Sequence, residues 1–81
     1  DYQLLTDIRT FNVVVDGSGM VADVEISARL MNDRNGRVVD FKVFRARVPV
    51  TADTAPAAVA GLNQALDQVL VDLTSWVLKR L

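Results

Sequence analysis

Cysteine and histidine are both absent from this chain of 81 residues. Without cysteine no disulfide can form, so the composition does not distinguish a secreted protein from a cytosolic one. The same two absences remove a thiol nucleophile, any Ser–His pair and the usual zinc ligands. We therefore predict that the protein is not an enzyme and that it holds no metal or cofactor.

An excess of charge of one sign is also missing, because nine basic residues balance ten acidic ones and the formal net charge is −1. This balance argues against a general binder of nucleic acids or anionic membranes. A spanning helix needs about 20 mostly apolar residues. The most apolar region, toward the C-terminus, is interrupted by polar residues such as Asn63, Asp67 and Asp72, so no spanning helix is predicted.

Apolar residues make up 51% of the sequence, which is above the usual range of roughly 45–50% for globular proteins and argues against disorder. A chain of this length suffices for one domain. Residues 1–81 are therefore predicted to form a single domain or a C-terminal half-domain. Three extended stretches precede one long helix, and this order is typical of the second half of a domain.

The first strand is predicted over about residues 2–15. Its apolar residues fall into two sets of opposite parity, which are Tyr2, Leu4 and Ile8, and then Phe11, Val13 and Val15. Because side chains in a strand alternate between the two faces, this change of parity predicts a bulge or bend near Arg9–Thr10. The following segment, Asp16-Gly17-Ser18-Gly19, has the composition of a tight turn.

The second and third strands are predicted over about residues 21–32 and 37–48. The second has the cleanest alternation, with one apolar face formed by Ala22, Val24, Ile26, Ala28 and Leu30. Such alternation indicates one buried face and one solvated face. Asn35-Gly36 between the two strands is a strong hairpin signal. Pro49 ends the third strand because it cannot donate a ladder hydrogen bond.

Two registers of this hairpin are open. In the first, Val43 and Phe44 both oppose Ala28 in a bulge that follows a two-residue turn. In the second, a three-residue turn without a bulge pairs Ile26 with Phe44. Because the second register leaves Lys42 on the buried face near the turn, the bulged register is favoured.

A helix is predicted over about residues 54–80, with Asp53 or Thr54 as its cap and Pro56 in its first turn. An apolar stripe at helical spacing consists of Val59, Leu62, Leu66, Val69, Leu73, Trp76 and Val77. Val71 and Leu78 lie off this stripe, toward the polar side. The helix offers more apolar surface than three strands need, so we expect a second contact, either with further chain or with a partner.

These elements predict an α+β fold, a three-stranded antiparallel meander in the order 1-2-3 packed by one C-terminal helix. The predicted core consists of Leu4, Ile8, Phe11, Val24, Ile26, Ala28, Leu30, Phe44, Ala46, Val48, Leu62, Leu66, Val69, Leu73 and Trp76.

No group of residues points to catalysis or to phosphate binding. Acidic residues such as Asp23 and Glu25 lie beside arginines on exposed strand faces, which favours cross-strand ion pairs over paired catalytic acids. The segment Gly17-Ser18-Gly19 lacks the GK[ST] ending of a phosphate loop and precedes a strand, so a tight turn is the better interpretation.

A candidate interaction surface combines basic residues of the hairpin with apolar residues of the helix. Basic residues on one hairpin are typical of phosphate or headgroup binding, but the acidic residues between them favour a mixed solvated surface. Trp76 is either an interfacial anchor or, given its place in the stripe, a core or subunit-interface residue. The candidate residues are Arg37, Lys42, Arg45, Arg47, Val71, Trp76 and Leu78.

A series of hydrophobic and turn positions runs through nearly the whole chain. In order, it consists of Asp1-Tyr2-x-Leu4, Asp7-Ile8-x-x-Phe11, Glu25-Ile26-Ser27-Ala28-Arg29-Leu30, Gly36-Arg37-Val38, Phe44-x-Ala46-x-Val48-Pro49-Val50, and Ala60-Gly61-Leu62-Asn63-Gln64-Ala65-Leu66 running to Asp72-Leu73. This series resembles the C-terminal half of the ABC-type transport auxiliary lipoprotein family, the PqiC-like group.

The resemblance implies a periplasmic lipoprotein of Gram-negative bacteria that works with MCE-domain and ABC transporter components in lipid transport. It implies a non-enzymatic subunit that docks to partner proteins, within a larger layered α/β sandwich. The parent protein would be anchored to the outer membrane through a lipidated cysteine that this chain lacks. A second hypothesis is direct lipid carriage in a groove between helix and sheet.

The alternative is a generic self-associating assembly module unrelated to lipid transport. A homo-oligomer is expected in either case because the surplus apolar surface favours self-association. No nucleic-acid partner is expected.

Overall fold

The computed structural model describes residues 1–17 and 19–80, in which three long strands precede one helix. The elements are β1 (Tyr2–Asp16), β2 (Gly19–Asn32), β3 (Val38–Pro49) and α1 (Ala55–Arg80). The strands form an antiparallel sheet in the order β1-β2-β3. The predicted α+β meander with one C-terminal helix is therefore confirmed. Within the predicted turn after β1, Ser18 lies outside the described residues, and Gly17 has a φ of 63° that favours glycine.

The bulge predicted in β1 is present at Arg9. Ile8 pairs with Ile26 and Thr10 pairs with Glu25, so Arg9 is an extra residue relative to β2. One additional residue shifts the alternation of side chains by one position. As a result, apolar residues on both sides of the bulge lie on the face of the sheet that carries α1.

The register favoured for the hairpin is wrong. Ile26 pairs with Phe44 and Ala28 pairs with Lys42, as in the second register, while the irregularity lies between Leu30 and Met31, beside the turn. Lys42 is tolerated because β3 is an edge strand, which lets the side chain stay exposed with its Nζ 5.4 Å from the centroid of the Phe44 ring. Long basic side chains commonly keep the charged end in water in this way.

The turn between β2 and β3 depends on a glycine with positive φ. Gly36 has a φ of 67°, which other residues rarely adopt. Its N–H donates to the carbonyl of Asn32 over 2.9 Å, and the N–H of Asn32 donates to the carbonyl of Arg37 over 2.9 Å. The Asn-Gly signal in the sequence therefore marks the turn correctly.

Helix α1 packs on β2 and β3. Its N-terminus is capped by Thr54, whose Oγ1 accepts a hydrogen bond from the N–H of Ala57 over 3.3 Å. The buried positions of the helix are Gly61, Ala65, Val69, Leu73 and Trp76. At the C-terminal end, the rings of Phe44 and Trp76 meet edge to face, with centroids 5.7 Å apart.

The predicted core is correct for β2 and β3 and wrong for β1. Leu4, Ile8 and Phe11 lie on the helix side of the sheet, yet they are 39%, 68% and 47% exposed. A helix is about 10 Å wide and strands are about 4.8 Å apart, so one helix centred over β2 and β3 does not extend over β1. No helix among the described residues combines the length and hydropathy of a membrane-spanning segment.

The apolar stripe predicted for the helix is rotated slightly from the set of helix residues that is buried in the structure. Leu62 and Leu66, predicted as core, are only partly buried at its border, while Gly61 and Ala65 face the sheet. A Cβ atom placed on Gly61 would lie 3.3 Å from the Cβ of Ala22 and 3.3 Å from Cγ2 of Val50. The helix approaches β2 closely because small residues lie at the contact.

Candidate interaction surface

The structure does not bring the seven candidate residues together. Arg37 is exposed at the end of the hairpin turn, and Lys42 lies on the helix side of β3. Arg45 and Arg47 lie on the opposite face of the sheet, where they pair with Glu25 and Asp23 of β2. The remaining three, Val71, Trp76 and Leu78, are on α1.

Arg45 belongs to an ion-pair network that joins the three strands. Its Nε donates to Oδ1 of Asp23 over 3.0 Å, and its Nη2 donates to Oδ2 over 2.8 Å. Glu25 contacts both Arg45, at 3.8 Å, and Arg9 of β1, at 3.4 Å. The predicted cross-strand ion pairs are therefore present, and they hold Arg45 on the face of the sheet away from α1.

Asp23 is buried, whereas the Arg45 side chain is half exposed. The hydrogen bonds from Arg45, together with its positive charge, lower the pKa of the Asp23 carboxyl below its usual value. The same contact raises the pKa of Arg45. Both groups are charged at neutral pH, and the buried carboxylate is compensated by its partner.

A cleft of about 520 Å³ lies between β3 and the C-terminal part of α1. Its lining includes Lys42, Lys79 and Arg80 together with the aromatic residues Phe44 and Trp76. Basic groups, together with the acidic Asp72, therefore surround an aromatic floor that itself belongs to the core.

Arg80 is held in place at this cleft by three contacts. It stacks on Trp76, with Cζ 4.7 Å from the ring centroid, and its Nη1 donates to the Trp76 carbonyl over 3.1 Å. Its Nε also donates to Asp40 of β3, and this hydrogen bond is the main reason that the pKa of Asp40 is lowered. No sequence signal predicted this contact, because Arg80 and Asp40 are 40 residues apart.

Trp76 is buried at 5% exposure, so it is a core residue and is not open to a partner. Val71 and Leu78, in contrast, are 64% and 66% exposed. They are seven residues apart, which places them on the same side of a helix. Leu70, beside Val71, is also exposed. The outer side of α1 thus carries exposed aliphatic residues.

A second apolar surface lies on the helix side of β1. We call it the open β1 face, and it consists of Tyr2, Leu4, Ile8, Phe11, Val13 and Val15. Sequence reasoning assigned half of these residues to the core and did not identify the surface. The available signal was geometric, since one helix is too narrow to cover three strands.

Metal-ligating residues are dispersed. Within residues 1–17 and 19–80, no three His, Cys, Asp or Glu side chains are close enough together to hold a metal ion. Asp23, Glu25 and Asp40 have basic partners instead.

The fold and its surfaces define a small α+β unit with apolar surface outside its own core. The chain belongs to the family of ABC-type transport auxiliary lipoprotein components, whose family model matches residues 1–74. The family is described as a transport component and as a lipoprotein, which indicates a location in the cell envelope. This description names no enzymatic activity.

Two similar proteins are both longer than this chain. It is 36% identical over 76 residues to an uncharacterised protein of Bradyrhizobium diazoefficiens, bll6063, covering 94% of this chain and 20% of that protein. It matches the crystal structure of protein XCC0632 of Xanthomonas campestris with a TM-score of 0.91 and 33% identity, over 96% of this chain and 46% of that one. The chain thus spans about a fifth of the Bradyrhizobium protein and less than half of the Xanthomonas protein.

A second solved structure, of a candidate lipoprotein from Caulobacter crescentus, matches with a TM-score of 0.53 and 18% identity. This match covers 99% of the present chain and 69% of the Caulobacter chain. At this identity the likeness concerns the fold alone.

Proposed function

We propose that the protein is a non-enzymatic auxiliary subunit of an ABC/MCE-type lipid transport system and acts by docking to partner proteins. Membership of the transport auxiliary family supports the association with an ABC system. MCE-domain proteins or ABC transporter components are the proposed partners. The observation that carries docking is the exposed aliphatic surface of α1 at Val71 and Leu78, which the fold itself does not use.

We also propose a periplasmic location, with the parent protein anchored to the outer membrane as a lipoprotein. The lipoprotein description of the family supports an envelope location. The unit would belong to a larger layered α/β sandwich. The open β1 face supports this proposal, because apolar side chains on the helix side of the sheet are exposed there.

Docking is tested with the double variant Val71→Asp/Leu78→Asp. Binding to purified MCE-domain and ABC components is measured by surface plasmon resonance, and we expect the double variant to bind at least tenfold more weakly. Both positions are exposed, so the melting temperature should change little. Val59→Asp is the matched control, because Val59 is also exposed on α1 but lies at the other end of the helix. Equal binding by all three proteins would refute docking through this surface.

A second candidate function is direct contact with lipid, favoured by the basic cleft beside Phe44 and Trp76. Lys42 and Lys79 line it and form no ion pair with the described residues. Ammonium groups attract phosphate-bearing headgroups. Lipid that copurifies with the protein, identified by mass spectrometry, would support this candidate.

The lipid test needs a control for net charge. Lys42→Glu/Lys79→Glu should reduce binding to vesicles that contain an anionic phospholipid, whereas Arg34→Glu/Arg37→Glu makes the same charge change at the exposed hairpin turn. An equal loss in both variants would indicate general attraction to the vesicle. The absence of both lipid and partner binding would favour the generic assembly module.

A further inference from the structure

We infer that the cleft between β3 and α1 binds a ligand that carries both a phosphate and a primary ammonium group, as a phosphate ester of ethanolamine does. Lys42 and Lys79 hold the phosphate, and Asp72 accepts hydrogen bonds from the ammonium group. The inference rests on the second candidate function proposed above and adds the chemical class of the ligand. It uses neither the docking surface on α1 nor the open β1 face.

The first argument is that the cleft contains charges that the fold itself does not use. Its lining includes five charged side chains, which are Lys42, Arg45, Asp72, Lys79 and Arg80. The two arginines are engaged in the ion pairs described above. The two lysines and Asp72 form no ion pair with residues 1–17 and 19–80. The cleft therefore presents free charges of both signs.

The sequence positions of these three residues explain why they do not neutralise one another. Asp72 and Lys79 are seven residues apart, which is about 10 Å along the helix, whereas ion pairs on a helix join residues three or four apart. The residues at those spacings between them are Ser75 and Trp76, which carry no charge. Lys42 pairs across the strands with an alanine of β2.

The two signs lie toward different ends of the cleft. α1 runs antiparallel to β3, since its last turn contacts Asp40 near the start of that strand. Lys79 in this turn therefore lies at the same end of the cleft as Lys42, and Asp72 lies about two turns closer to the helix N-terminus. Side chains on a helix lean toward its N-terminus, which brings the Lys79 ammonium closer to Asp72. A ligand with a short link between its two charged groups can then contact both signs.

The chemistry of each side chain matches one part of such a ligand. Lysine ammonium groups bind phosphate, and the hydroxyl of Ser75, which also lines the cleft, can donate to a phosphate oxygen. The carboxylate of Asp72 accepts hydrogen bonds only, so it suits a primary ammonium group, which is a donor. A quaternary ammonium group has no N–H to donate. The site therefore distinguishes an ethanolamine ester from a choline ester.

The size and floor of the cleft suit a small ligand. Its volume of about 520 Å³ is within the range of roughly 300–1,000 Å³ that small-molecule sites occupy. Phe44 and Trp76 provide an apolar surface against which the carbon atoms between the two charged groups can pack.

The charged lining also indicates that the cleft stays open when the unit is part of a longer protein. A covering layer would bury Lys42, Asp72 and Lys79, and buried charges are costly unless each is paired. The open β1 face, where the proposed sandwich adds its layer, lies on the other side of β2 from this cleft. Ligand binding in the cleft and the larger sandwich are therefore compatible.

Binding is measured by titrating the isotope-labelled chain with glycerophosphoethanolamine and following the amide chemical shifts by NMR. We expect saturable shifts in β3 and in the last turns of α1, around the cleft. Glycerophosphoglycerol, which lacks the amine, and glycerophosphocholine should bind roughly tenfold more weakly, the effect of losing one hydrogen bond between charged groups. Equal affinity for the three esters, or shifts only away from the cleft, would overturn the inference.

Asp72→Asn tests the ammonium half of the site, because it removes the charge and keeps the shape of the side chain. Affinity for glycerophosphoethanolamine should fall to that for glycerophosphoglycerol, and affinity for glycerophosphoglycerol should not fall. Asp67→Asn is the matched control, since Asp67 is also exposed on α1 but does not line the cleft, and it should bind as wild type does. A preference for the amine that persists in Asp72→Asn, or an equal loss for both esters, would overturn the inference.

Lys42→Gln/Lys79→Gln tests the phosphate half and should weaken binding of both esters roughly tenfold or more. Arg34→Gln/Arg37→Gln makes the same charge change at the hairpin turn and should bind as wild type does. All four positions are exposed, so the melting temperature should change little. An equal loss in the two double variants would mean that net charge alone attracts the ester, against the inference.

Vesicles of phosphatidylcholine with and without phosphatidylethanolamine determine whether the ligand is a lipid headgroup. Binding that rises with the ethanolamine lipid and falls in Asp72→Asn identifies a headgroup. Binding of glycerophosphoethanolamine without binding to either vesicle supports the inference with a free ester as ligand, and the lipid candidate fails. Conversely, binding to anionic vesicles that depends on Lys42 and Lys79 but shows no preference for the amine would support the lipid candidate and overturn the inference.

Discussion

Individual small residues determine how closely α1 approaches the sheet. Gly61 and Ala65 are buried, and Gly61 lies close to Ala22 of β2, while the larger Leu62 and Leu66 remain at the border of the core. Hydrophobicity ranks leucine above alanine, so a stripe chosen by hydrophobicity favours the leucines. Close packing instead favours small side chains at the point of nearest approach. The core therefore includes residues that sequence periodicity had ranked below their neighbours.

Two leucines of α1 should differ in their contribution to stability. Leu73 is buried, so Leu73→Ala should lower the free energy of unfolding by about 2–5 kcal/mol. Leu66 is only partly buried, so Leu66→Ala should cost less, roughly 1 kcal/mol, because fewer contacts are lost. Urea denaturation followed by circular dichroism measures both. Equal losses for the two variants would contradict the assigned orientation of the helix.

Asp23 should make stability sensitive to acid. Its folded-state pKa is below the usual value of 3.8, so at acidic pH the unfolded chain binds a proton more readily than the folded one. The stability from the Asp23–Arg45 pair is present above about pH 4 and is lost as the pH falls through the folded-state pKa. The urea midpoint of wild type should drop in this range. Asp23→Asn should be less stable at neutral pH and should show a smaller further drop in acid.

At the scale of elements, the helix and the hairpin are joined at one end by a polar contact. Arg80 in the last turn of α1 contacts Asp40 of β3 and stacks on Trp76. Basic residues in the last turn of a helix interact favourably with the helix dipole. The structure adds a tertiary role, which depends on the helix length and on the position of β3 and so could not be predicted from local pattern.

Removal of this contact should loosen the helix end without unfolding the protein. In Arg80→Ala, amide hydrogen exchange should accelerate in the last turn of α1 and at the start of β3, while the centre of β2 stays protected. Lys79→Ala is the control, because Lys79 has no ion pair with the described residues. Unchanged exchange in Arg80→Ala would mean that Trp76 packing alone fixes the helix end.

At the scale of the whole molecule, the number and order of elements were predictable because each has a local signal. The bulge at Arg9 was predictable from the change of parity among the apolar residues of β1, and the turn at Gly36 was predictable from the Asn-Gly pair. The hairpin register was not predictable from burial alone, because Lys42 on an edge strand can remain in water. The open β1 face depends on where a single helix lies across the sheet, which no local pattern encodes.

The homo-oligomer expected from the sequence should also appear in the thermal stability of the molecule. If copies associate through exposed apolar surface, the melting temperature of the protein should rise with protein concentration, since association stabilises the folded state by mass action. Differential scanning calorimetry over a hundredfold concentration range measures the effect. A melting temperature independent of concentration would contradict self-association.

The bulge at Arg9 makes β1 insensitive to the loss of one residue at this position. Residues 2–8 and residues 10–16 already lie in register with β2 on either side of the extra residue. A single-codon deletion at position 9 would therefore remove the bulge, join the two segments in a regular strand and keep their apolar side chains on the helix side of the sheet. In-frame deletion of Leu5, by contrast, would turn Tyr2 and Leu4 to the opposite face, so a mutational scan of the gene should tolerate the first deletion and select against the second.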